Sequence, residues 1–177
     1  MSGNDMRLAC ACGKFHLEVS GEPIISTECH CQSCRDAAAR LPALAARAQS
    51  ANGGTHYVLC RKDRIRFPEG TGGLKEFRLA PDSPTRRVLA VCCDTPIFLE
   101  FKDGHWLSLY ASLWPEHTAP SIELRTMTKD LPPSTSLAGD VPAGALPTAG
   151  FYARLLGAWI AMGFKVPAVS VPGVIEA

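Results

Sequence analysis

Cysteine spacing constrains this chain more than any other feature. Cys29-His30-Cys31-Gln32-Ser33-Cys34 places three thiols within six residues, Cys10-Ala11-Cys12-Gly13 offers two more upstream, and Cys92-Cys93 lies far downstream. Zinc takes thiolates at about 2.3 Å in a tetrahedral shell, so its ligands come in tight local groups that a short backbone knuckle can fold around one ion. Cys29, Cys31 and Cys34 meet that requirement without long-range help. Eight cysteines in 177 residues also raise the possibility of a disulfide framework. The segment Met1-Ser2-Gly3-Asn4-Asp5, however, has no basic start followed by an apolar run, which predicts a cytoplasmic, reducing setting where clustered cysteines are zinc thiolates.

With 46% hydrophobic residues the chain can bury a substantial core, and its length favours one domain. Eighteen Lys and Arg against 17 Asp and Glu leave a net charge of +1, too small a field to gather polyanions. No nucleic-acid partner is therefore expected, the knuckle having only Arg35 and Arg40 near it. The basic runs Arg61-Lys62-Asp63-Arg64-Ile65-Arg66 and Arg86-Arg87 read as wet strand faces.

Alternation about a turn at Gly13 predicts a strand pair over Arg7 to Val19, carrying Cys10 and Cys12. Ile24 to Glu28 reads as a strand that delivers Cys29 into the knuckle. Arg35 to Gln49 reads as helix, interrupted or restarted at Pro42 and ended by Asn52-Gly53-Gly54. Tyr57 to Cys60, Arg64 to Phe67, Leu74 to Leu79, Val88 to Cys92, Ile97 to Phe101 and Trp106 to Tyr110 are short β runs between Gly, Pro and Asp turns. The expected organisation is a zinc-binding β domain over 1–130, a Pro-rich linker over 131–150, and an amphipathic helix with its tail over 151–177. Tyr152, Leu155, Leu156, Trp159 and Ile160 form that helix's apolar stripe. It is too short to cross a bilayer of ~30 Å, so the expectation is no membrane partner, with docking on the body or pairing of subunits into a homo-oligomer.

Together, Cys10-Ala11-Cys12-Gly13, Cys29-His30-Cys31-Gln32-Ser33-Cys34-Arg35 and Cys93-Asp94-Thr95-Pro96 resemble the glutathione-dependent formaldehyde-activating enzyme superfamily. The resemblance covers about residues 7–100 and is nearest an uncharacterised branch, a domain of unknown function. It implies a mainly β fold, a zinc-stapled β-tent of small antiparallel sheets, with a short helix after the knuckle and a C-terminal amphipathic helix. It also implies two zinc ions: Cys10 and Cys12 join the late cysteines in a structural site, and Cys29, Cys31 and Cys34 hold a reactive one. The knuckle's three thiolates point the same way, since they leave a tetrahedral ion one vacant position.

The late motif departs from the family's usual Cys-x-x-Cys-Gly-Thr-Pro, having Ala90 at the first cysteine position and Asp94 at the glycine position. Either both Cys92 and Cys93 reach the ion, which is the expectation, or only one does. Asp is tolerable at position 94 because it visits positive φ more readily than most residues. The activity implied is that of a carbon–sulfur lyase acting on adducts of a small thiol such as glutathione and an aldehyde. A non-catalytic zinc-stabilised scaffold is the alternative. Arg35 either grips a substrate carboxylate or offsets the anionic zinc centre. His30, between two ligands, reads as a spectator, and Cys60 as a buried apolar residue.

Overall fold

The computed structural model describes residues 5–176; the N-terminal residues behind the localisation expectation, Met1 to Asn4, lie outside them. Eleven strands and three α-helices follow one another along the described chain. The strands are β1 (Met6–Ala9), β2 (His16–Val19), β3 (Ile25–Cys29), β4 (Thr55–Arg61), β5 (Ile65–Glu69), β6 (Leu74–Phe77), β7 (Thr85–Ala90), β8 (Thr95–Phe101), β9 (Trp106–Tyr110), β10 (Leu124–Thr126) and β11 (Gly173–Val174). The helices are α1 (Gln32–Arg40), α2 (Pro42–Arg47) and α3 (Ala145–Ala161). Pro42 opens α2 at its first position, where a missing N–H costs nothing.

Strands β1, β2 and β5 make a three-stranded sheet; the rest form an eight-stranded sheet ordered β10-β3-β4-β9-β8-β7-β6-β11. Pairing is antiparallel except at the two margins, where β10 runs parallel to β3 and β11 parallel to β6. Antiparallel sheets were the expectation, and the parallel margins come from chain returning after long excursions. The chain is thus mainly β, with few helices.

Side-chain alternation splits the core between the two faces of the long sheet. Val58 and Cys60 of β4, Val88 of β7 and Leu107 and Leu109 of β9 pack with Leu8, Leu17 and Ile65 of the small sheet. Tyr57, Leu59, Leu89, Leu99 and Tyr110 take the other face, with Cys34, Ala37 and Ala38 of α1, Leu44 of α2 and Leu155 of α3. By the same parity Arg87 joins Leu89 on the helix side, and its register partners Phe77 and Leu99 belong to that cluster.

The Arg86-Arg87 run is therefore not a wet face: Arg87 is 1% exposed. Lys62 is also buried and pairs with Glu100, which Arg86 pairs in turn. Period-two alternation gives the two faces of a strand, and here both are covered.

α3 begins inside the stretch read as connector, because Pro147 sits in its first turn, where the backbone N–H has no helical acceptor. Of its apolar stripe only Leu155 is fully buried, and its carbonyl accepts from His105 Nε2 at 2.8 Å. Trp159 stacks on the His105 ring. Tyr152, Leu156 and Ile160 remain exposed. No helix among the described residues is long and apolar enough to cross a membrane.

Candidate metal centres

The turn between β1 and β2 meets the turn between β7 and β8, bringing Cys10, Cys12, Cys92 and Cys93 together with all four sulfurs within 4.8 Å of one another. Cys10 Sγ lies 3.6 Å from Cys12 Sγ and 3.7 Å from Cys92 Sγ. The Cys12–Cys92 separation is 3.3 Å and the Cys92–Cys93 separation 3.8 Å. A tetrahedral ion with bonds of about 2.3 Å sets its sulfurs ~3.8 Å apart, so this donor set fits zinc closely. Both adjacent cysteines are within reach of one ion.

Backbone geometry prepares the site. The Phe15 N–H donates to Cys10 Sγ at 3.3 Å, and the Ala11 N–H donates to Thr95 Oγ1 at 3.0 Å, tying the two turns together. Gly13 has φ +73° and Asp94 φ +53°, the left-handed conformation expected of a residue standing in a glycine position. Desolvation raises the Cys93 thiol, but the Thr95 hydroxyl and the Cys12 backbone outweigh it and bring it down to about 6. Desolvation and the neighbouring Cys12 and Cys10 thiols push Cys92 up to about 12.

The second cluster lies where β3 runs into α1. Cys29 ends the strand, Cys31 caps the helix and Cys34 sits in its first turn, with the three sulfurs within 4.8 Å of one another. The Cys34 N–H donates to Cys31 Sγ at 3.3 Å, so the cap turns one sulfur toward the other two. Hydrogen bonds from the Cys29 and Cys34 thiols hold Cys31 well below the ordinary thiol range, making it the first of the trio to ionise. Cys34 is buried and lies 3.5 Å from the Tyr57 hydroxyl, whereas Cys29 and Cys31 are half-buried.

Among the described residues no fourth His, Cys, Asp or Glu joins this trio. Cys60 is one position out of phase with Tyr57 and Leu59 and faces the opposite core cluster, where burial pushes its thiol up to about 12. The ring of His30 is fully buried and turned to Glu28, its Nε2 lying 3.1 Å from Oε2. Glu28 also accepts from Arg125 Nε at 2.8 Å and from Ser50 and Asn52 at 3.2 Å each, which fastens the knuckle's root to β10 and to the Gly53-Gly54 turn. A Cβ on Gly54 would stand 2.7 Å from both Glu28 Cγ and His30 Cε1, so glycine alone permits this approach.

Arg35 directs its guanidinium to the His30 and Asp130 carbonyls and to Gln32 Oε1, clamping the loop. Gripping a substrate carboxylate would mean breaking those bonds. The cation the cysteine motif did not predict is Arg87, whose Nη2 donates to the Ser33 carbonyl at 2.9 Å and to Ser33 Oγ at 2.8 Å, inside the knuckle. Its only sequence signal was its phase with Leu89 in β7.

A long two-faced sheet with one three-cysteine knuckle and a four-cysteine junction of turns defines a class of small β proteins with two cysteine clusters that could hold metal ions. The chain belongs to the glutathione-dependent formaldehyde-activating enzyme family, whose match covers residues 5–126. None of the curated proteins matches it. One solved structure, described as a Rhodobacter sphaeroides protein, is similar at 17% identity and a TM-score of 0.48, over 78% of this chain and 100% of that one.

Proposed function

We propose that the chain is a zinc-dependent carbon–sulfur lyase, joining a glutathione-like thiol to an aldehyde or releasing the two from their adduct. The observation that carries this is the trio Cys29, Cys31 and Cys34, which has no fourth protein ligand in reach among the described residues. Cys29, Cys31 and Cys34 would hold the zinc, which would favour the thiolate form of an incoming thiol. Cys29 and Cys31 border the half-exposed side by which a substrate arrives, and Cys34 anchors the trio to the core. The α1 cap fixes the Cys31 sulfur.

In the forward direction the substrate sulfur forms a bond to the carbonyl carbon, and the proton given up by the thiol ends on the carbonyl oxygen. The reverse direction breaks that carbon–sulfur bond. The four-cysteine centre takes the structural role in this reading, and Arg35 that of a loop clamp.

Exchange spectroscopy by NMR on mixtures of glutathione and formaldehyde tests the activity, with zinc-loaded protein expected to speed adduct exchange over buffer. No acceleration at full zinc loading would leave the scaffold reading in its place. The outward stripe Tyr152, Leu156 and Ile160 is assigned to a second copy of the chain. Light scattering should then give a multiple of 19.0 kDa, falling to that mass in Leu156→Glu with Ile160→Glu. A wild-type monomer would remove the assignment.

A further inference from the structure

Arg87 is a full positive charge buried among apolar side chains, and it has no carboxylate partner among the described ion pairs. Its Nη2 is satisfied by Ser33, but its Nη1 has no hydrogen-bond partner. The hydroxyl of Tyr110, itself 1% exposed, has among the described residues only the Tyr57 hydroxyl beside it as a partner. Tyr57, 4% exposed and the direct register partner of Tyr110, points its hydroxyl at Cys34 Sγ. Buried cations without a counter-charge are costly and rare, so a pocket that sets a guanidinium and two tyrosine hydroxyls beside Cys34 is built for an anion.

We propose that Arg87 is the counter-charge of the three-cysteine metal centre and that, with Tyr57 and Tyr110, it forms a donor pocket behind Cys34 that holds the centre in its metal-loaded thiolate form. This rests on Cys29, Cys31 and Cys34 as zinc ligands. Three thiolates around one divalent ion carry a net charge of about −1, and a guanidinium, always protonated, cancels it. Ser33 then has a structural purpose: lying between two ligands, it holds Nη2 while the guanidinium stays within reach of the Cys34 sulfur. Arg87 acts through the ligands, so it is a positioning residue.

The test compares Arg87→Met, Arg87→Lys and Tyr57→Phe in the full chain, by zinc content, chelator competition and the sulfur-to-cobalt charge-transfer band of cobalt-loaded protein. Groups that orient metal ligands are worth between about 10- and 100-fold in affinity. Arg87→Met should lose at least tenfold in zinc affinity at the three-cysteine centre, with the four-cysteine centre still loaded. Arg87→Lys should recover most of the loss. Tyr57→Phe should keep its zinc but shift the cobalt band.

Wild-type affinity in a folded Arg87→Met, or an unmoved cobalt band in Tyr57→Phe, overturns the assignment. Should Arg87→Met not fold, Arg87→Lys and Tyr57→Phe decide: weaker binding with lysine than arginine and a shifted band uphold it, whereas either one unchanged overturns it. Wild-type protein with no metal on the trio defeats the site reading and this inference together. Two zinc ions per chain without lyase activity defeats only the activity.

Discussion

Cys10→Ser is expected to remove one zinc ion per chain and to lower the melting temperature by roughly 8–16 °C, from a loss of about 4 kcal/mol at about 2–4 °C per kcal/mol for a chain of this size. Structural zinc contributes of order 10 kcal/mol to folding in small domains, comparable with the whole stability of a typical protein of about 5–15 kcal/mol. Losing the ligand releases the ion, but the two turns stay tied by the Ala11 to Thr95 hydrogen bond, so the net loss is smaller than the full contribution. Cys10 is the most damaging choice because it is 3% exposed and its sulfur accepts the Phe15 N–H, so substitution disturbs the metal shell and the hairpin turn together. The damage spreads because this centre joins β1 and β2 to the β7–β8 turn some eighty residues away. Differential scanning calorimetry with parallel metal analysis reads the effect. A variant melting within 2 °C of wild type and still holding two zinc ions would show that the four sulfurs gather for some other reason.

Both cysteine clusters were readable because their members are local: Cys10 with Cys12, Cys92 with Cys93, and the whole of Cys29 to Cys34 lie on single turns or caps. Most strands were readable for the same reason, since alternation and turn residues act over a few positions. What escaped depends on distant partners. β10 and β11 are too short to show a period, and each exists because β3 or β6 offers an unpaired margin. Glu28 meets Arg125 across 97 positions, and nothing near either residue announces the other. The apolar stripe of α3 was seen as one surface, yet the body needs only Leu155, Phe151 and Trp159, which leaves Tyr152, Leu156 and Ile160 outside.

Arg87 shows the limit most clearly. A basic pair at the start of a strand is ordinarily solvated, and Arg87 is buried here because α1 and its knuckle cover that face. Side-chain charge was legible, but Ser33, which accepts its hydrogen bonds, was fifty-four positions away.

Cys31→Ser is expected to abolish acceleration of thiol–aldehyde exchange, by about 100-fold or more, while leaving the fold intact. The separation of the two effects follows from position. Cys31 is the cap of α1, where its sulfur accepts the Cys34 N–H, and serine is among the best residues for that task. Helix and loop should therefore keep their shape, and the four-cysteine centre, held by other elements, should keep its ion. The metal shell, however, loses the sulfur most readily ionised among the three, and a serine hydroxyl is a poor replacement because it stays protonated and is a hard donor. Metal analysis should fall from two zinc ions per chain to one, with a melting temperature within a few degrees of wild type. Exchange by NMR should then match buffer. Undiminished exchange in a folded protein carrying one zinc would separate the chemistry from Cys31 and place it elsewhere on the molecule, whereas retention of both ions with no exchange would make Cys31 essential without making it a ligand.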